Sequence, residues 1–167
     1  HGDGVNYNHC KELLQEDAFG GISSLTIYRP QLTMWDIDFA LARDDFDGLI
    51  ELADNAIAQP ITYNQHLICQ YEEHLALGLA LTGEGARAVE QAEKSNVPGR
   101  KLGGEIFLAL NLSFAGAVYW LAGEDQRARE LFDEAIEVAN DIQNPQIQAQ
   151  VYSCRGWFLL KRGDHET

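Results

Sequence analysis

Positively charged side chains are scarce in this chain. Its 167 residues include 12 lysines and arginines against 26 aspartates and glutamates, which gives a formal net charge of −14. A field of this sign repels phosphate backbones and anionic membrane surfaces, so we expect no direct binding to nucleic acid or to a membrane. A basic protein partner is compatible with the charge, although solubility alone explains it equally well.

Cysteine is also scarce, and no apolar run approaches the roughly 20 residues of a membrane-spanning helix. Cys10, Cys69 and Cys154 are odd in number, stand at unrelated spacings and form no CxxC pair. They predict reduced thiols rather than a disulfide framework, which favours a cytoplasmic protein. Because the chain begins with neither an initiator methionine nor a signal-peptide pattern, we interpret it as a segment of something longer.

What the chain does contain is a regular interval. Four residues stand 40 positions apart, each closes a segment with helical spacing, and an acidic residue follows each within two positions: Arg43, Gly83, Gly123 and Gly163. Self-similarity with a period of roughly 20–50 residues is typical of stacked structural repeats. Such scaffolds have no built-in active site and usually work by presenting a surface.

The apolar spacing around these markers predicts pairs of antiparallel helices. The longest apolar stretch exceeds the length of any strand and therefore predicts a buried helix, followed after a tight turn by an amphipathic one. The predicted pairs, in chain order, are 34–42 with 46–58, 63–81 with 84–94, and 102–121 with 126–140, and a further first helix is expected at 146–160.

We therefore predict one all-α domain over residues 1–167, a right-handed superhelical solenoid of helix hairpins. Its units are expected at about 33–59, 60–97, 98–144 and, truncated, 145–167. Pro60, Pro98 and Pro145 all fall in the links between pairs, where a helix must stop. Residues 1–32 form an irregular lead-in, in which 5–16 fit a second helix of an earlier unit. Pro30 falls either inside the next helix or in its first turn.

The small and aromatic residues of these units resemble the signature of tetratricopeptide repeats. The best-matching unit has Gly116, Tyr119, Gly123, Ala128, Phe132 and Ala135 in that family's relative spacing. The preceding unit keeps Ala76, Leu79, Gly83, Ala88 and Ala92, the following one Gly156, Leu159 and Gly163, and the earliest only Phe39 and Leu52. The resemblance covers roughly residues 33–167, and it implies the solenoid fold.

The period departs from the family's basic length of about 34 residues. Units of about 40 residues with lengthened helices resemble the sensor regions of MalT-like bacterial transcriptional activators and arrays beside cyclase, diguanylate cyclase and kinase modules. The resemblance implies a non-enzymatic interaction or sensor module of a bacterial signalling or transcriptional regulatory protein, which binds a peptide or partner. A small-molecule effector domain and a dimerisation module beside a cyclase are the alternatives.

In the family, first helices line a concave groove and second helices form the convex back. The resemblance then assigns the groove to Gln70, Glu73, Leu77, Leu110, Ser113, Ala117, Trp120, Gln150, Ser153 and Trp157. Two tryptophans among polar side chains suit a peptide-binding hot spot. The alternative is that Trp120 and Trp157 pack between helices as core residues.

The last unit ends one helix short. Its apolar residues would bury themselves against a helix that this chain lacks: Trp157, Phe158, Leu159 and Leu160. Because the ends of a solenoid need a polar cap, the bare end predicts either a homodimer through that end or a natural continuation of the array. Trp157 would then be exposed only because its covering helix is missing.

One helical face could present metal ligands. His66, Cys69 and Glu73 stand at i, i+3 and i+7, with His74 one residue further round, and zinc accepts such ligands. Three ligands from one straight helix rarely suffice without a fourth, so we favour a partly buried cysteine beside surface polar residues and predict neither metal nor cofactor. His9 beside Cys10 is a weaker version of the same pattern.

Paired carboxylates are the remaining catalytic candidates. They occur at Asp44-Asp45, Glu72-Glu73 and Glu124-Asp125, and general acid–base chemistry would need them to converge in a pocket. Two pairs stand at helix starts, where the helix dipole explains them. The sequence contains no glycine-rich phosphate loop, HExxH or GxSxG motif. It therefore predicts no enzyme.

Overall fold

Seven α-helices make up nearly all of the described chain. The computed structural model describes residues 24–59, 65–102 and 104–162. In chain order the helices are α1 (Ser24–Ala42), α2 (Phe46–Ala58), α3 (Gln65–Leu81), α4 (Gly85–Leu102), α5 (Gly104–Leu121), α6 (Asp125–Ile142) and α7 (Pro145–Arg162). These ranges contain no strand, so the prediction of an all-α class is confirmed.

The helices pack in a repeating order. Each helix contacts the next along the chain, and the odd-numbered helices also contact one another, α1 with α3, α3 with α5, and α5 with α7. Within the described residues, the even-numbered helices make no such contact with one another. We call α1, α3, α5 and α7 the first helices and α2, α4 and α6 the second helices. The first helices therefore form a continuous row against which the second helices pack.

The turns inside the helix pairs share one hydrogen-bonding pattern. Each places one residue at a positive φ, namely Asp44 (57°), Gly83 (86°) or Gly123 (85°). The following residue donates its N–H to the carbonyl five positions back, over 2.8 Å from Glu84 and 2.9 Å from Glu124. Its own carbonyl accepts the first hydrogen bond of the second helix. This is the Schellman arrangement, in which the left-handed position favours glycine.

The first turn corrects the predicted 40-residue interval. Its left-handed residue is Asp44 rather than Arg43, so the interval from position 44 to position 83 is 39 residues. The earliest unit was consequently aligned one residue off. Ile37 and Ala40 are buried there, whereas Phe39, which the alignment selected, is only half-buried. The one-residue shift was missed because the left-handed position holds an aspartate instead of the glycine found in the later turns. Aspartate is one of the few non-glycine residues that tolerate this conformation.

Several predicted helix boundaries agree with the structure and two do not. The bounds of α2 are those predicted, and α5, α6 and α7 agree within two residues. By contrast, α4 continues through Pro98 to Leu102, so Pro98 does not lie in a link. Because proline's fixed φ is itself close to the helical value, the helix can continue at the loss of one hydrogen bond.

The predicted irregular lead-in is also too long. Because α1 begins at Ser24, residues 24–32 are helical, and Pro30 lies inside this helix rather than in its first turn. Pro145 is the first residue of α7, where a missing N–H leaves no helical bond unmade. Residues 5–16, Pro60 and Gly163 lie outside the described residues.

The core depends on glycine where helices approach most closely. A Cβ atom at Gly116 of α5 would lie 3.1 Å from three atoms of the Phe132 ring of α6. At Gly78 of α3, a Cβ atom would lie 2.6 Å from Cδ2 of Leu49 in α2. Small residues at these two points therefore allow the paired and successive helices to pack without a gap.

One helix is apolar enough to raise the question of a membrane. By length and composition alone, α5 could span a bilayer, and within the described residues no other helix meets that test. The share of α5 buried inside the molecule is 44%. Core helices of water-soluble proteins meet the same test, so this is weak evidence, and the absence of a membrane partner stays a prediction.

Candidate functional site

A polar cluster joins three of the first helices, and His74 of α3 lies at its centre. The ring Nδ1 donates to the carbonyl oxygen of Gln70 over 2.7 Å, and Nε2 lies 3.4 Å from Asp38 Oδ1 of α1. Both ring nitrogens therefore face oxygen acceptors. Because a neutral imidazole carries only one N–H, this geometry favours the doubly protonated, positively charged ring.

The surroundings of His74 act on its pKa in opposite directions. Burial lowers the pKa, but the hydrogen bonds to Asp38 and the Gln70 carbonyl, together with the charges of Asp38 and Glu73, raise it above the ordinary value of 6.5. The Phe114 ring of α5 lies 5.3 Å from the imidazole, centroid to centroid, at an interplanar angle of 46°. An aromatic ring at this distance attracts a cation.

The neighbouring residue Glu73 ties α3 to α5. Its side chain is buried, with the residue 9% exposed. When the amide nitrogen of Asn111 is turned toward α3, it donates to Glu73 Oε1 over 2.7 Å and to the Phe107 carbonyl oxygen over 3.0 Å. The opposite amide orientation would set acceptor against acceptor, so the hydrogen-bond pattern decides it. Burial raises the pKa of Glu73 to about 7, His74 lowers it, and Glu72 raises it further.

Two histidine–phenylalanine contacts follow the same edge between α3 and α5. Besides His74 and Phe114, the rings of His66 and Phe107 stack with centroids 4.5 Å apart and an interplanar angle of 29°. Solvent still reaches this edge, because the Phe107 residue is 38% exposed and the Asp38 side chain 58%. We call Asp38, His66, His74, Phe107 and Phe114 the histidine–phenylalanine seam.

The ten residues predicted to line a groove occupy three different environments. Glu73 and Ser113 are buried, so they cannot touch a partner in this conformation. The half-buried ones are Gln70, Leu77, Leu110, Ala117 and Trp120, and the exposed ones are Gln150, Ser153 and Trp157. The two tryptophans therefore differ, since Trp120 packs against the core and Trp157 is 60% exposed.

None of the five seam residues is among the residues predicted to line the groove. The sequence suggests His74 only as a neighbour of possible metal ligands and Phe107 and Phe114 only as apolar residues of a buried helix, and it does not single out Asp38. A signal existed, because His66 and Phe107 stand 41 residues apart and His74 and Phe114 stand 40 apart. Comparing polar and aromatic residues at equivalent positions of neighbouring units would have paired them.

His66, Cys69 and Glu73, whose spacing resembles that of metal ligands, do not form a metal-binding group within the described residues. Burial, followed by the charges of Glu72 and Glu73, raises the pKa of Cys69 to about 11, which disfavours the thiolate that a metal requires. Throughout residues 24–59, 65–102 and 104–162, no group of three His, Cys, Asp or Glu side chains could hold a metal ion. His9 and Cys10 lie outside these ranges.

The carboxylate pairs have separate explanations. Asp45 and Glu124 are the N-cap residues of α2 and α6, and Asp45 Oδ1 accepts the Gly48 N–H over 3.1 Å. Glu72 and Glu73 are different, because burial raises the pKa of both. They nevertheless diverge, since the charge of Lys94 in α4 acts on Glu72 while Glu73 accepts from α5.

A second accessible surface lies on α7. Three large apolar side chains of this helix are exposed, and we call them the α7 patch: Tyr152, Trp157 and Leu160. The same helix is anchored by the buried Ile147 and Val151 and by an ion pair of 2.8 Å between Arg155 and Asp133 of α6. The patch thus lies on a helix that packs against the core through its N-terminal half.

No protein-family model matches the chain, and no curated protein matches it significantly. The seam, the α7 patch and the order in which the helices pack are the features of the molecule that bear on its function.

Proposed function

We propose that this chain is a tetratricopeptide-like, right-handed solenoid that works as a non-enzymatic protein-interaction module. The order of helix contacts carries the proposal, since first helices contact first helices while the described second helices do not contact one another. Stacking hairpins side by side produces this order. The buried Ala76, Gly116 and Phe132, which stand at signature positions of the family, support it further.

The row of first helices is the surface that would bind. Both the histidine–phenylalanine seam and the α7 patch belong to it, and aromatic side chains flanked by polar groups are typical of binding hot spots. Its central helices α3 and α5 contain no lysine or arginine, and the Asp38 carboxylate lies at the edge of the seam. A peptide segment that combines lysine or arginine with an aromatic or aliphatic anchor is complementary to this surface.

Selection from a peptide display library with the purified chain tests this function. We expect the selected peptides to be basic and amphipathic, and their affinity to fall at least about tenfold with Phe107→Ala or Trp157→Ala, because hot-spot truncations typically cost 2 kcal/mol or more. Glu137→Gln, an exposed position on the second helix α6, is the matched control and should bind normally. Peptides that bind both alanine variants as tightly as the wild type would refute the assignment to this surface.

The α7 patch favours a second function, homodimerisation. Tyr152, Trp157 and Leu160 give α7 an exposed apolar surface that a second copy could cover. Sedimentation equilibrium at high concentration should then show dimers for the wild type and monomers for Trp157→Glu. A wild-type chain that stays monomeric throughout the concentration range would exclude this role.

The wider setting is also part of the proposal. The resemblance of 40-residue units to MalT-like sensor regions supports a cytoplasmic bacterial signalling or transcriptional regulatory protein, in which this module receives a partner or an effector.

A further inference from the structure

Two adjacent residues of α3 connect it to both neighbouring first helices. His74 reaches Asp38 of α1, and Glu73 accepts from Asn111 of α5. We propose that Glu73 and His74 form a proton-dependent clasp, which holds α1, α3 and α5 together at mildly acidic pH and weakens as the pH rises through neutrality. The clasp is a property of the folded chain and needs no partner.

The hydrogen bonds define the protonation state that satisfies the cluster. A charged His74 supplies one N–H to the Gln70 carbonyl and one to Asp38, whereas a neutral ring must leave one of these acceptors without its donor. A neutral Glu73 suits a site that is nine-tenths buried, because an ionised carboxylate there must be stabilised mainly by one amide of Asn111 and by His74. Acid therefore completes the hydrogen bonds of His74 and removes the buried charge of Glu73.

Other charges around the clasp are few. The groups that face it from the packed helices are Glu72 and Cys69 of α3 itself, Asp38 of α1, and the Asn111 amide, Phe107 carbonyl and Phe114 ring of α5. Lys94 of α4 acts on Glu72, and α2 meets α3 through Leu49 and Ile50 at Gly78. Within the described part of the chain, His74 is the cation that acts on Glu73.

Both residues bind a proton more tightly in the folded chain than in the unfolded chain. Burial raises the pKa of Glu73 from 4.5 to about 7. Burial opposes the charge on His74, but its hydrogen bonds and the nearby carboxylates raise its pKa above 6.5. At a pH between its unfolded and folded pKa values, each residue binds more protons in the folded state than in the unfolded state, so stability must fall as the pH rises. For Glu73 this fall runs from pH 4.5 to about 7. For His74 it begins at about 6.5 and continues above it.

Urea denaturation of the wild type, Glu73→Gln and His74→Gln at pH 5.5, 7.0 and 8.5 tests the clasp. Relative to the wild type, the folding equilibrium constant of Glu73→Gln should rise at least about tenfold from pH 5.5 to 8.5, because the glutamine never ionises. His74→Gln should be weaker than the wild type at pH 5.5 and approach it at pH 8.5. Folding constants that change in parallel with pH for all three proteins would overturn the proposal.

Two control variants separate the clasp from general charge effects. Glu137→Gln removes an exposed carboxylate of α6. His66→Gln removes another histidine of α3, the helix of the clasp, whose ring stacks on Phe107 of α5. Both should follow the wild-type pH dependence, and a pH response of Glu137→Gln equal to that of Glu73→Gln would also overturn the proposal. If a clasp variant does not fold, an NMR titration of wild-type His74 decides, because a midpoint at or below 6.5 contradicts the clasp.

Discussion

The contact between α5 and α6 and the junction of α1, α3 and α5 hold neighbouring helices together by different means. Between α5 and α6, the Phe132 ring fills the space that Gly116 leaves, and both residues are buried. At the junction of the first helices, by contrast, Glu73 and His74 supply charged and hydrogen-bonded contacts. Apolar packing such as that of Phe132 carries no titratable group, whereas the contacts of Glu73 and His74 do. The α5–α6 contact is therefore expected to be insensitive to pH, and the polar junction of α1, α3 and α5 sensitive to it.

The largest expected effect comes from removing the apolar contact. Phe132→Ala should lower the free energy of unfolding by about 3–5 kcal/mol, because a fully buried ring is lost and a cavity remains. The loss should be the same at pH 5.5 and pH 8.5, which urea denaturation at both values measures. Phe107→Ala is the matched control, since this ring is partly exposed and should cost clearly less. A loss at Phe132 that depends strongly on pH would break the contrast between hairpin and junction.

At the junction of α1, α3 and α5, a smaller loss of stability is expected, and its size should depend on pH. Asn111→Ala removes the amide that donates to Glu73 and should cost about 1–3 kcal/mol at pH 8.5, where the buried carboxylate is ionised and loses its donor. At pH 5.5, where Glu73 is neutral, the same variant should cost less. Urea denaturation at both pH values measures the effect, which is the loss of unfolding free energy at pH 8.5 minus the loss at pH 5.5.

Ser113→Ala provides the control for that experiment on the same helix. Its hydroxyl is buried and has no hydrogen-bond partner, so removing it should change stability little and by the same amount at both pH values. If the stability losses of Asn111→Ala and Ser113→Ala depended equally on pH, the junction would be no more sensitive to pH than the rest of α5.

The difference between the two regions also explains what the sequence could predict. Gly116 and Phe132 could be predicted as repeat positions, because small and large residues recur there at fixed spacing, but their contact with each other inside one hairpin was not predicted. Glu73, His74 and Asn111 have the composition of a solvent-exposed helix face, and only the neighbouring unit buries them. Periodicity fixes which helices pair, but it does not specify which polar atoms meet across the next helix.

Two local features escaped prediction for a related reason. Pro98 was expected to stop a helix, yet proline's backbone angle is compatible with one, and α4 continues through it to Leu102. Asp44 looked like the acidic residue after the turn, although it occupies the left-handed position itself. In both cases the residue permits two conformations, and the sequence alone does not choose between them.

The turn at Asp44 offers the smallest test of the hairpin as a repeated unit. If Asp44 is equivalent to Gly83 and Gly123, replacing it with glycine should relieve left-handed strain and stabilise the chain by about 0.5–1 kcal/mol, partly offset by the greater freedom of the unfolded state. Conversely, Gly123→Ala should destabilise by about 1 kcal/mol. Thermal denaturation resolves both signs.

Arg43→Gly then distinguishes the 39-residue interval from the 40-residue one. Arg43 precedes the left-handed position and its φ is not positive, so glycine there adds unfolded-state freedom without relieving strain and should destabilise slightly. If Arg43→Gly stabilised the chain and Asp44→Gly did not, the left-handed residue would be Arg43, and the first hairpin would follow the 40-residue interval after all. Opposite signs at two adjacent positions therefore decide whether the first hairpin is built like the two that follow it.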